Sequence, residues 1–130
     1  MALRWIVKTT PTPPAGQWYS VLTDESWSAG PGFSWTGSQW EASLGIPSGL
    51  SATGWESGYR PTKMRITFSG SISEIGLKDL NDDTIAIDSS PVSLEEITIT
   101  FGSFDINDLT ISYSGSIAIT NIEFYSTSAP

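Results

Sequence analysis

The chain has 130 residues, with 6 Lys+Arg, 14 Asp+Glu, no Cys and no His. That length suits one domain with a real core, and the missing Cys and His exclude disulfides, zinc–thiolate and iron–sulfur sites, thiol nucleophiles and a Ser-His-Asp triad. A net charge of −8 argues against binding nucleic acid through its phosphates, and no run approaches the ~20 apolar residues that a membrane helix needs.

In chain order, Leu3 to Lys8 is the first predicted strand. Its apolar Trp5-Ile6-Val7 is too short for the core of a signal peptide. The expected location, a virion or the extracellular space, would then be reached without a signal peptide, by lysis, a specialised apparatus or as part of a particle. Residues 9–14 are Pro-rich and extended, a stiff connector or an arm reaching a neighbour. A strand is expected over Gln17 to Thr23, with Trp5 and Trp18 in the core. Residues 24–62 are dense in Gly and Pro and predict long loops, with short strands around Phe33–Trp35 and Trp40–Leu44.

The back half reads plainly as strands. Met64, Ile66 and Phe68 alternate with polar residues, as do Ile85 and Ile87 apart from an interruption at Ala86, then Ile97, Ile99 and Phe101, then Leu109, Ile111 and Tyr113. Ile117 and Ile119 share one parity, whereas Ile122 and Phe124 have the other. A bulge near Thr120-Asn121 or burial on both faces would account for the change. An internal echo links Ile66–Ile72 with Ile111–Ile117, each holding a Ser-Gly-Ser step, and predicts a tight hairpin at Gly70 and another at Gly115. Residues 126–130 read as a frayed tail. No segment carries a sustained helical period.

The charges and aromatics are unevenly placed. From Asp79 onward there are nine acidic residues and no basic one, while all six Trp lie in the first 55 residues. Trp27, Phe33, Trp35, Trp40 and Trp55 are the candidate contact residues. Three roles stay open for the loop tryptophans: packing within the fold, anchoring at a protein interface, or stacking against sugar rings. Asp79, Asn81 and Asp83 have the D-x-N-x-D spacing that opens a calcium loop, but Thr84 stands where that loop needs Gly and Ser90 where it needs Glu. The competing reading is a set of Asx residues shaping a turn. Calcium is the one cofactor considered. Catalysis is not expected: His and Cys are missing, and Asp82/Asp83 and Glu95/Glu96 are sequence neighbours that on a strand would point to opposite sides.

Short strands with turn signals between them predict an all-β, antiparallel two-sheet β-sandwich, jelly-roll-like, as a single domain over 1–130 with long Gly/Pro/Trp-rich loops in the N-terminal half. Through Lys63–Ser69, Ile75–Asp79 and Ile117–Tyr125, the chain resembles the galactose-binding-like β-sandwich of carbohydrate-binding modules. Similar sandwiches serve as bacteriophage decoration and baseplate proteins. The resemblance implies a scaffold and not an activity. The leading expectation is a non-catalytic structural accessory protein of a bacteriophage virion, docking through its aromatic loops onto protein partners or sister subunits, such as in a trimer. The alternative is a carbohydrate-binding module that holds a glycan on exposed Trp residues. Neither reading includes nucleic acid or a membrane.

Overall fold

The computed structural model describes residues 16–128 and Pro130. The strand expected at Leu3–Lys8, the segment 9–14 and Trp5 lie outside the described residues. The described part is all β: β1 (Gln17–Ser20), β2 (Trp27–Ala29), β3 (Phe33–Trp35), β4 (Trp40–Ala42), β5 (Ser48–Ala52), β6 (Lys63–Asp79), β7 (Thr84–Asp88), β8 (Leu94–Thr98) and β9 (Ile106–Ser126). All pairings are antiparallel.

Two long strands organise the rest. β6 and β9 pair from Lys63↔Tyr125 at one end to Asp79↔Ile106 at the other. The half containing Lys63–Ser69 and Ile117–Ser126 carries β8 on one side, and β1 and β4–β3 on the other. The half containing Ile75–Asp79 and Ile106–Ile111 carries β7 on one side and β5–β2 on the other. We call these layer I and layer II.

The ribbon folds over between them. Trp27 of layer II lies 6.4 Å from the Phe124 ring of layer I, and Phe33 of layer I packs edge-on at 5.9 Å against Tyr113. The layers also meet along one side, where the Thr100 amide donates to the Ile85 carbonyl at 2.8 Å. The core between them holds Met64, Ile66, Ile75, Leu77, Leu109, Ile111, Ile119, Ile122 and Phe124, all essentially inaccessible. Burying those apolar faces is the main drive to fold.

The two Ser-Gly-Ser steps are not hairpin turns. They lie in mid-strand and face each other across the ribbon, where the register slips between Ser69↔Ala118 and Ser71↔Ser114. Gly70 and Gly115 have φ of 94° and 66°. Such angles suit Gly and bend the strands sharply. The internal echo is thus a matched pair of bends, and long strands replace the expected chain of short ones.

The change of parity near the C-terminus has the expected cause. Thr67 pairs with Asn121 and Phe68 with Ile119, so Thr120 is the extra residue of a bulge. A second bulge was not legible. Leu77 pairs with Ala86 and Lys78 with Thr84, which leaves Ile85 unpaired. Ile85 and Ala86 are buried as a result, and Ile87, expected inside, is 53% exposed. Ser126 is not part of a tail. It closes β9, is buried, and its hydroxyl donates to the Tyr59 hydroxyl at 3.2 Å.

The bends generate a prediction. At Gly70 a methyl group would overlap the Ser116 carbonyl and crowd Ile117, whereas at Gly115 nothing lies in the way. Gly70→Ala should cost about 2–4 kcal/mol, conformational strain plus overpacking, and Gly115→Ala only about 1–2 kcal/mol of strain. Urea denaturation of the two variants checks this; equal losses would contradict it.

Candidate functional site

Burial sorts the candidate aromatics. Trp27, Phe33 and Trp40 are 1%, 7% and 2% exposed. The Trp27 indole N–H donates to the Val21 carbonyl, and that of Trp40 to the Leu22 carbonyl at 2.8 Å. These three side chains are satisfied core residues and cannot dock a partner or a sugar. The cause is register: Trp40 sits opposite Ile119, whose side chain faces the core, and Trp27 opposite Ala52, a residue packed against it. Trp35 and Trp55 are half-buried. Trp35 packs against Trp40 at 5.3 Å, and Trp55 against Trp27 at 4.9 Å.

Trp18, expected in the core, faces outward. It sits opposite Tyr125, and its inward-facing neighbours in the pairing are Tyr19 and Phe124. Met64, Ile66, Phe68, Ile122 and Phe124 point into the core. Alternation therefore turns Lys63, Arg65 and Thr67 of β6, and Asn121, Glu123 and Tyr125 of β9, to the outer face of layer I. The register sets Lys63 beside Tyr125 and Arg65 beside Glu123, with Glu96 of β8 next to Arg65.

The geometry of this cluster is tight. The Trp18 and Tyr125 rings are 5.3 Å apart at 63°. Arg65 lies over the Trp18 ring at 4.1 Å and donates through Nε and Nη2 to both oxygens of Glu123, at 3.0 and 3.1 Å. That hydrogen bond raises the Arg65 pKa above its ordinary value, so the guanidinium stays charged at any working pH. Lys63 lies 5.7 Å over the Tyr125 ring and pairs with Glu96 at 3.2 Å. Two half-buried aromatic rings are thus fixed in orientation among hydrogen-bonding groups of both signs. Farther along the same face, Ser34, Glu41, Ser69 and Ala118 line a shallow groove of about 390 Å³.

Such a face can bind an amphipathic, uncharged ligand. Aromatic rings accept the C–H faces of a sugar, and the ion-paired side chains retain free donor and acceptor positions for hydroxyls. The signal for these residues lay in the strand alternation itself. If Met64 and Ile66 point in, Lys63 and Arg65 point out; if Phe124 points in, Tyr125 points out.

The acidic set at Asp79 serves the turn. Asp79 is 1% exposed, and its Oδ1 accepts the amides of Asn81 and Asp83 at 2.9 and 3.0 Å. Asn81 in turn donates to Asp83 at 3.2 Å. Among the described residues, no group of three or more His, Cys, Asp or Glu is placed to hold a metal ion.

The acidic back and the basic front interlock. Arg60 pairs with Asp105, Lys63 with Glu96, Arg65 with Glu123, and Lys78 with Asp82. Every basic residue among those described thus meets an acid from the back half, so the chain's two halves are not two separate surfaces.

Solved structures that resemble the chain include carbohydrate-binding modules. One is a family 29 module variant complexed with cellulohexaose, with a TM-score of 0.54 and 12% identity, covering 85% of this chain and 92% of that one. Another variant of that module, complexed with mannohexaose, gives 0.55 and 11% over the same shares. A third is CBM86, described as a new low-affinity xylan-binding module from the gut symbiont Roseburia intestinalis, with a TM-score of 0.59 and 13% identity, covering 84% of this chain and 93% of that one. No protein-family model and no curated protein matches the sequence. At these identities the likeness is one of fold. It lends no support to a phage-particle protein, and the buried Trp27, Phe33 and Trp40 remove most of the docking front which that expectation required.

Two predictions follow from this placement. Trp27→Ala should cost about 3–5 kcal/mol by opening a core cavity, whereas Trp18→Ala should cost about 1 kcal/mol, the scale of its lost cation–π contact; thermal and urea melts separate the two. Asp105 lies below its ordinary pKa of 3.8, first because the Gly58 amide donates to it and then because Arg60 pairs with it. A depressed native pKa stabilises the fold above the ordinary value, and the benefit is lost as pH falls through the native one. Asp105→Asn should therefore flatten the fall in melting temperature below about pH 4; an unchanged acid profile would show that Asp105 has no part in it.

Proposed function

We propose that the protein is a non-catalytic carbohydrate-binding module, and that the outer face of layer I holds a neutral polysaccharide chain. The observation that carries this reading is the Trp18–Tyr125 pair, fixed by the two-point Arg65–Glu123 ion pair and half-exposed on a sheet face. An exposed, rigid aromatic pair brings affinity at low entropic cost, because the rings are already held in place.

The likeness in fold to modules whose names record cellulohexaose, mannohexaose and xylan supports the ligand class. The charges on the face are balanced in pairs: Arg65 with Glu123, Lys63 with Glu96. A surface of paired charges favours an uncharged ligand over an acidic one. Glu41 beside the distal groove adds to that preference. The lack of His and Cys accords with binding in place of catalysis.

Calorimetric titration with the hexaoses of cellulose, mannan and xylan tests this. Binding to at least one is expected, and Trp18→Ala should weaken it at least about tenfold, equal to about 1.4 kcal/mol, while the variant stays folded with its melting temperature lowered by only a few degrees. Binding should change little between low and high salt, because no net charge is neutralised. Failure to bind any of the three, or full affinity in Trp18→Ala, would sink the reading.

A further inference from the structure

Folding the ribbon in half brings its four ends together, and a second cavity opens among the loops there. It has a volume of about 210 Å³ and lies between the 52–59 loop, the turn at Leu80 and the start of β9. None of its residues belongs to the Trp18 face.

One wall is apolar and rigid. The Trp55 indole packs edge-on against Trp27, Tyr59 and Phe124, with ring separations of 4.9, 5.8 and 5.4 Å. Its N–H donates to the Ser26 carbonyl at 3.1 Å. The ring is thus held on its core side, and its remaining surface lines the cavity. Leu80 stands beside it, 61% exposed, although it caps the end of β6 and takes no place in the core.

The other wall is polar. Asp105 accepts the Gly58 amide at 3.0 Å through Oδ2 and pairs with Arg60 through Oδ1. Arg60 is itself braced over the Phe101 ring at 4.6 Å. The carboxylate is therefore kept ionised and fixed in direction, and each oxygen keeps lone-pair capacity for a further donor. Glu56 and Ser57 complete this wall.

We propose that this cavity is a second carbohydrate site, which takes one neutral pyranose at a chain end. The proposal rests on the glycan-binding reading for the class of ligand alone, since the residues are separate. A cavity of this volume holds one sugar ring and not a running chain. A pyranose has an apolar C–H face for Trp55 and Leu80, and hydroxyls for Asp105, Glu56 and Ser57. Hydrogen bonds from hydroxyls to a carboxylate are charge-assisted and strong. Glu56 and Asp105 both line the cavity, and Arg60 is already paired with Asp105, so an acidic sugar is disfavoured.

The test is a titration of the full chain followed by two-dimensional ¹H–¹⁵N NMR, with glucose, mannose, xylose and glucuronate as probes, and with cellohexaose, mannohexaose and xylohexaose for the outer face. At least one neutral monosaccharide should shift the Trp55 indole signal and the Gly54, Ser57 and Gly58 amides saturably, and glucuronate should not. Leu80→Trp, a change at an exposed position, should fill the cavity and abolish those shifts while leaving the Trp18 indole response to a hexaose intact. If no neutral monosaccharide moves the loop-end signals, the second site is overturned, whatever Trp18 does. Equal shifts from glucuronate would overturn the neutral specificity. Loop-end shifts without any Trp18 response to a hexaose would support this site and count against the outer face.

Discussion

The structure depends on one constraint: a long two-stranded ribbon with a single apolar face cannot leave that face in water. β6 and β9 present Met64, Ile66, Ile75 and Leu77 on one strand and Leu109, Ile111, Ile119, Ile122 and Phe124 on the other. A flat ribbon would expose them all. Bending it in mid-length lets the ribbon cover itself, and the opposed Gly70 and Gly115 supply backbone angles that make the bend possible. The shorter strands then extend the two layers on either side. Even the large aromatics Trp27, Phe33 and Trp40 are recruited to fill the space between them.

Both candidate binding regions are consequences of that folding. The outer face of layer I exists because alternation must place Lys63, Arg65, Glu123 and Tyr125 opposite the buried set. Pairing β1 to the end of β9 adds Trp18 to the same face. The loop-end cavity exists because the bend returns all four ends of the ribbon to one place, where Arg60 and Asp105 tie neighbouring loops together. Binding surfaces of this kind need no moving part. The rings are oriented by ion pairs and edge contacts before a ligand arrives, and such pre-organisation lowers the cost of binding.

The acidic character of the chain has a more specific role than solubility. Four of its acids pair with the four described bases, three of them across the fold, and two of these pairs, Arg65–Glu123 and Arg60–Asp105, brace the two aromatic regions. The acids left over face solvent or shape turns, as Asp79 does. A net-negative protein with that distribution repels polyanions.

Much of this was legible in the sequence. Period-two alternation identified the strand segments of the back half and the all-β class, and the parity change at Thr120 located a bulge. Alternation acts between adjacent residues, so a linear reading recovers it. What stayed hidden depends on which segments become neighbours. Ser48–Ala52 has little strand signal and is a strand because Leu50 and Ser51 find Leu109 and Asp108. Gly70 and Gly115 look like hairpin turns until each is seen opposite the other. Trp27 and Trp40 sit in glycine-rich surroundings that suggest a surface, yet pairing turns them inward, and Trp18 sits in a strand that suggests a core, yet pairing with Tyr125 turns it outward. Composition and periodicity determined the class of fold and the chemistry available; only the tertiary structure decided which aromatic rings meet solvent, because the inward face of a short strand is set by its partner's register.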